Sequence, residues 1–263
     1  MTIETTTQLE PVDGVLARAF LVLNAVGAVG GAMTLAQISR ETDLPKTTVH
    51  RVLQQMLRLG ALEREGDRYR IGLHMFSLSS VVPEVQLRNV ALPRLIELRR
   101  QTGNALHLAT MREDHVVYLE KFGGEVAVDI PSTVGGRLSA HATGVGKAML
   151  AYLPRQRLQR MLSEPLVRLT SNTITDPAQL LLELDRIRET GIALDREETV
   201  PGLSCVAHPI LHMGAAVASV SISYATRHGV SKASVSALRQ TCVDISRDLS
   251  RLAWHSDDER EMA

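Results

Sequence analysis

Aromatic residues make up only 3% of this chain, so it lacks the ring platforms on which single-strand binders stack successive bases. Cysteine is scarce too. Cys205 and Cys242 offer neither a metal-ligand spacing nor a disulfide framework, and a reducing, cytoplasmic setting is expected. Net charge is absent, with 29 basic residues against 29 acidic ones, which excludes a protein that coats polyanions by charge alone. No apolar run approaches membrane-spanning length. The opening MTIETTTQLEP has neither the basic start nor the apolar core of a signal peptide, so no membrane association is expected. Internal repeats and low-complexity tracts are missing, and no cofactor is expected. What remains is a chain of 263 residues, 44% apolar, with enough core for one large or two ordinary domains.

The most informative stretch runs from Thr34 to Leu57. Thr34 followed by Gln37 has the spacing of a capping box, which predicts a helix start. Glu41, Thr42 and Asp43 compete with helix continuation by bonding their own backbone and mark a turn. Pro45 suits the first position of a second helix, where its missing N–H costs nothing. Along that helix Val49, Val52, Leu53, Met56 and Leu57 recur at the spacing of one buried face. The opposite face carries Lys46, Thr47, His50, Arg51 and Gln54, with Thr48 beside them. Such a face can meet phosphates through its cations and base edges through its hydroxyls and amides. On an isolated helix it would simply be the solvated side.

Its surroundings favour DNA. Val15 to Val26 is an apolar helical pattern able to complete a three-helix core. Ala61 to Arg64 and Arg68 to Ile71 alternate with period two around Glu65-Gly66-Asp67, which reads as a hairpin wing bearing Arg64, Arg68 and Arg70. Helix, helix-turn-helix and wing in that order are specific, whereas a helix pair alone is common. The stretch is modestly basic, which suits reading a duplex. The expected DNA-facing residues are Thr34, Lys46, Thr47, Thr48, His50, Arg51 and Gln54, with Arg68 and Arg70 on the wing.

LPKTTVHRVLQQMLRLGALEREGDRYRIG resembles the DNA-binding module of the IclR family of bacterial transcription regulators. LSAHATGVGKAMLAYLP (Leu138 to Pro154) and GIALDREETVPGLSCVAHPI (Gly191 to Ile210) resemble the two most recognisable stretches of that family's effector domain. Together the similarity runs from about Val12 to Ala253. It implies a winged helix-turn-helix joined to an α+β effector-binding domain, an antiparallel sheet with helices of GAF-like type. It also implies assembly as a homodimer or a dimer of dimers.

The expected organisation is a disordered tail over residues 1–11 and a winged helix-turn-helix over 12–72. A linker helix over 73–84, an effector-binding domain over 85–255 and an acidic tail over 256–263 follow. The linker segment reads either as an internal core helix or, by the resemblance, as part of a dimer contact that also uses the first helix. Beyond it, Val85 to Gln101 predicts a helix closed by Gly103. Ala105 to Met111 and Val116 to Phe122 predict a hairpin, and Glu125 to Ile130 alternates as a further strand. Asp176-Pro177 opens a helix running to Thr190, with Gly191 just past its end. Leu203 to Ile210 and Ala215 to Tyr224 are strands about a Met213-Gly214 turn, and Val230 to Trp254 is a closing helix. Strands followed by helices predict an antiparallel sheet with helical cover on one side.

Two places could hold a ligand. After Thr143, Gly144, Val145 and Gly146 would present free backbone N–H groups at the positive end of a helix, as a carboxylate requires. Equally, the glycines could serve tight packing against the sheet. Ser221 and Ser223 stand two apart on one strand, so their hydroxyls share a side that is either a polar pocket floor or a solvent face. The IclR resemblance implies more: a small hydroxy or oxo acid held by Gly144, Val145, Asp195, Cys205, Ser221 and Ser223. His208 departs from it, standing where many members have alanine. Two other readings use the same residues. One is a hydrolase fused to a DNA-binding module, with Cys205 as nucleophile, His141 or His208 as base and Asp195 as orienter. Against it, nothing local activates the thiol. The other is a zinc-containing regulator using His107, His115, His141, His208 or His212, for which no ligand spacing is present.

Overall fold

The structure, a computed structural model, describes residues 14–124 and 132–252. The strand expected over Glu125 to Ile130 and both expected tails lie outside these residues. The chain divides into two compact units after Val82.

The first unit contains α1 (Val15–Ala28), β1 (Met33–Thr34), α2 (Leu35–Thr42), α3 (Lys46–Arg58), β2 (Leu62–Glu65), β3 (Arg68–Ile71) and α4 (Leu73–Ser79). Thr34 caps α2 as its spacing predicts: its hydroxyl accepts from Gln37 N at 3.3 Å, and Thr34 N donates to Gln37 Oε1 at 2.8 Å. The turn falls later than Glu41 and Thr42, which remain helical. Asp43 alone takes the left-handed conformation (φ 54°), and the Ser39 hydroxyl ties down the Leu44 carbonyl at 2.7 Å. Pro45 sits one residue before α3, at its N-cap position. Val22 and Val26 of α1, Ile38 of α2 and Val49, Leu53 and Met56 of α3 close a core with Leu62 and Tyr69 of the hairpin. β2 and β3 pair antiparallel about Gly66-Asp67, with Gly66 at φ 64°. β1 adds an unforeseen third strand along β3, through Met33 opposite Tyr69.

The helix expected over 73–84 is interrupted. α4 ends at Ser79 and a new helix begins at Pro83, because a residue before proline resists the helical conformation. α4 buries no residue in this unit, so it is not an internal core helix. Leu73 and Phe76 are 73% and 70% exposed, and Leu16 of α1 is 77% exposed.

The second unit contains α5 (Pro83–Thr102), β4 (Ala105–Arg112), β5 (His115–Phe122), β6 (Arg137–Ser139), α6 (Gly144–Leu150), α7 (Arg155–Met161), α8 (Pro177–Thr190), β7 (Ala193–Arg196), β8 (Leu203–His212), β9 (Ala215–Ala225) and α9 (Lys232–Arg251). The strands form one antiparallel sheet in the order β6-β5-β4-β9-β8-β7. Helices cover both faces, not one. Leu106, Leu108, Val206, Val220 and Ile222 pack under α5 and α9, while Ala109, Tyr118, Ala193 and Ala207 lie under α6 and α8. The second face escapes a search for apolar alternation because it is built largely of alanine, serine and histidine, small or polar groups over which a helix can sit close.

Candidate functional site

On α3 the side chains of Lys46, Thr47, His50 and Arg51 are exposed, and among the described residues none has a hydrogen bond or ion pair. Thr48 and Gln54 flank them, half-buried. A helix packed through Val49, Val52, Leu53 and Met56 thus offers its opposite face to a partner with its donors uncommitted. Three other expected DNA contacts are engaged within the protein. The Thr34 hydroxyl belongs to the cap of α2. Arg68 Nη1 donates to Ala32 O at 3.1 Å. Arg70 holds Glu63 through Nε and Nη2, at 3.1 and 2.9 Å. Cross-strand pairing explains the last, since Glu63 and Arg70 stand directly opposite on β2 and β3.

In the second unit the sheet register gathers the effector candidates. Asp195 stands opposite Cys205, and Cys205 opposite Ser223, which makes one straight row across β7, β8 and β9. The adjacent row on the same face is Ala193, Ala207, Ser221 and His107. Residues paired across strands point to one side of the sheet. Over these rows lies the start of α6, where the Thr143 hydroxyl accepts from Gly146 N at 3.1 Å. The helix itself supplies no acceptor for the preceding amides of Gly144 and Val145. Gly144, Val145, Asp195, Cys205, Ser221 and Ser223 all line a single cavity of about 20 Å³, joined there by His107, Tyr118, Thr143 and Thr199.

The two glycines of α6 have different tasks. A β-carbon on Gly146 would collide with the backbone of Ala140, so this glycine serves close packing. One on Gly144 would make ordinary contacts with Cys205 and Ala207, at 3.5 Å each, and would project into the cavity wall.

Burial governs the chemistry of the site. Asp195 is 2% exposed, and desolvation pushes its carboxyl up to about 6 against hydrogen bonds that favour the charge. Its Oδ1 accepts from Glu198 N at 2.7 Å, and its Oδ2 lies 2.9 Å from Thr199 Oγ1. Thr199 Oγ1 also stands 2.9 Å from Ala142 O. A hydroxyl has one proton; given to Ala142 O, it leaves Thr199 able to accept a proton-bearing bond from Asp195. Below Asp195, Lys147 is fully buried, bonded to Glu198 and 4.0 Å from Glu183.

Lys147, Glu198, Thr199, His107 and Tyr118 are absent from the sequence-predicted site. One signal was available: Asp195, Glu198 and Thr199 follow one another at the spacing of a tight polar turn. Lys147 on an otherwise apolar, glycine-rich helix was another.

The hydrolase reading fails on geometry. Burial pushes the Cys205 thiol up, away from thiolate, and its hydrogen-bond partner is Ser223 at 3.1 Å rather than a histidine. His141 bonds the Val167 carbonyl at 2.9 Å, and His208 lies against Gly191 and bonds the Pro209 carbonyl at 2.9 Å. Among the described residues, no group of three histidine, cysteine, aspartate or glutamate side chains is placed to hold a metal ion. No helix among them is long and apolar enough to cross a membrane.

Residues 15–66 match the IclR helix-turn-helix domain, and residues 79–251 match the C-terminal domain of bacterial transcriptional regulators of the IclR type. The chain is 35% identical over 240 residues to the HTH-type transcriptional regulator BhcR of Paracoccus denitrificans, covering 89% of this chain and 85% of that one. It is 33% identical to the regulator KdgR of Escherichia coli, over 83% of this chain and 84% of the other. Among solved structures, an IclR homolog from Microbacterium hydrocarbonoxydans complexed with 4-hydroxybenzoate aligns with a TM-score of 0.77 and 29% identity, over 90% of this chain and 100% of that one. The Thermotoga maritima IclR aligns with a TM-score of 0.73 and 30% identity, over 89% and 98%. The chain belongs to the IclR family of transcriptional regulators, and is a DNA-binding regulator rather than an enzyme.

Proposed function

We propose that this regulator represses an operon for uptake or catabolism of a small organic acid, and that a hydroxy or oxo acid in the α6 cavity is its signal. The observation that carries the reading is the convergence of Gly144, Val145, Asp195, Cys205, Ser221 and Ser223 on one buried cavity. Amides and hydroxyls converging on one space match a carboxylate with a neighbouring oxygen. The 4-hydroxybenzoate bound to the Microbacterium relative supports the same ligand class. The protein acts in the cytoplasm on double-stranded operator DNA, as a homodimer or a dimer of dimers. Exposed apolar residues on α1 and α4, Leu16, Phe20, Leu73 and Phe76, support pairing there. In this mechanism acid binding alters the spacing of two recognition helices, which then no longer match half-sites about one helical turn apart.

A band-shift titration of the regulator on its own upstream DNA with a panel of small acids tests this. At least one acid is expected to change the operator affinity at least tenfold; no change with any acid overturns the reading. Arg51 is uncommitted on the DNA-facing side of α3. Arg51→Ala is expected to weaken operator binding by about 1–3 kcal/mol and relax base preference if the guanidinium reads a base edge. If it meets only phosphate, binding falls evenly across sequences and the salt slope drops by about one. Unchanged binding removes Arg51 from the interface.

A further inference from the structure

The reading above leaves His107 without a role, although it lies at the centre of the cavity wall. Its ring is 2% exposed and bridges two serines: Nδ1 is 3.3 Å from Ser223 Oγ, and Nε2 is 2.8 Å from Ser132 Oγ. Tyr118 fixes the ring plane by an edge contact, 5.4 Å between centroids at 61°. Ser132 is itself held, its carbonyl accepting from Lys121 Nζ at 2.7 Å.

The tautomer follows from counting protons. Ser132 is 2% exposed, and among the described residues its hydroxyl has His107 as its hydrogen-bond partner. A buried hydroxyl proton left without an acceptor is costly, so Ser132 donates to Nε2. A neutral imidazole then carries its proton on Nδ1 and donates it to Ser223 Oγ. Burial, with the Lys121 charge nearby, lowers the imidazole to about 4, which keeps the ring neutral at physiological pH.

We infer that His107 is a specificity-determining positioning residue, which occupies the acceptor side of the Ser223 hydroxyl and so presents that hydroxyl to the effector as a donor. Among the described residues, the group left to take the Ser223 proton is the Cys205 sulfur at 3.1 Å, a weak acceptor. A carboxylate can give one oxygen to Ser223 in place of that sulfur and the other to the Gly144 and Val145 amides. A primary amide has a single acceptor oxygen, so its N–H₂ must face one of these donors, and an amine offers no oxygen at all. The site is thereby set for acids against their amides. This deepens the acid-sensing proposal and rests on it for the ligand, but not for the tautomer.

Two measurements on the full chain separate the inferences. Long-range ¹⁵N–¹H spectra are expected to show His107 as the neutral Nδ1–H tautomer throughout pH 6–8; an Nε2–H tautomer or a protonated ring overturns the inference with no ligand involved. Calorimetric titrations with glyoxylate, pyruvate and 2-oxobutyrate, each against its amide, are expected to favour the acid at least tenfold. His107→Leu should reduce that preference at least fivefold, and His107→Asn, which restores a donor near the Nδ1 position, should recover most of it. Acids that bind with an unchanged preference in His107→Leu overturn the role of His107 alone. If no acid binds the unmodified protein, the acid-sensing reading fails, and the ligand preference inferred here fails with it.

Discussion

Lys147→Met is expected to lower the stability of the second unit by about 3–5 kcal/mol, the usual cost of leaving a buried charge without its partner. Lys147 is 0% exposed, and its ammonium contacts Glu198, itself 3% exposed. Removing the cation leaves the Glu198 carboxylate buried without a counter-charge, and among the described residues one of its oxygens, Oε2, already lacks a hydrogen-bond partner. Glu183, 4.0 Å from the ammonium, also contacts Arg186 and Arg196, so it keeps compensation of its own. The double variant Lys147→Met/Glu198→Gln should therefore recover most of the loss, because an amide in place of the carboxylate no longer needs a counter-charge. Urea unfolding of the full chain, followed for the second unit, checks both. A single variant within 1 kcal/mol of the parent would mean that the pair contributes little beyond packing.

The second large effect runs in the opposite direction. Asp195→Asn is expected to stabilise the protein by about 1–3 kcal/mol at pH 7.5. The aspartate has a folded-state pKa raised from 3.8 to about 6, so the folded protein binds a proton that the unfolded chain releases earlier. Stability attributable to this group is fully present below about pH 4, falls as pH rises to about 6, and stays low above that. A rise of this size corresponds to about 3 kcal/mol at most. Asparagine keeps an oxygen for Glu198 N and presents an N–H to the Thr199 hydroxyl, so it reproduces the protonated acid without the titration. The parent and the variant should thus differ most at pH 7.5 and converge near pH 4. Equal stability at both pH values would sink the argument. Acid binding adds a second readout, since an incoming carboxylate disfavours ionised Asp195 beside it. Calorimetry in buffers of different ionisation enthalpy should show proton uptake near pH 7 by the parent and less by Asp195→Asn.

The first of these effects concerns residues, Lys147 and Glu198, that sequence reasoning did not reach, and the reason is physical. Signals confined to a few consecutive residues were legible: the Thr34 and Gln37 cap, the Gly66-Asp67 turn, and the Asp176-Pro177 start with Gly191 at its end. Gly144 and Val145 were legible from the helix start after Thr143, and Ser221 and Ser223 from their spacing on one strand, while the roles of Asp195 and Cys205 came through family resemblance. Lys147 meets Glu198 across 51 positions of chain, and His107 meets Ser223 across 116. No periodicity within one segment encodes such pairs. The same holds for helical cover on both sheet faces: β4 buries Leu106 and Leu108 toward one layer and His107 and Ala109 toward the other. The short β6 and β7 were missed because each is held by its pairing with β5 or β8 more than by its own propensity.

The straight rows across β7, β8, β9 and β4 also constrain how such a sensor can diversify. Because strand side chains alternate, a one-residue insertion in β9 would swing Ser221 and Ser223 out of the cavity and bring Val220 and Ile222 in. It would spoil the packing beneath α5 and α9 at the same stroke. Point substitution within a row leaves the other face untouched. New ligand preferences are therefore open to this sheet one side chain at a time, and closed to it by changes in strand length.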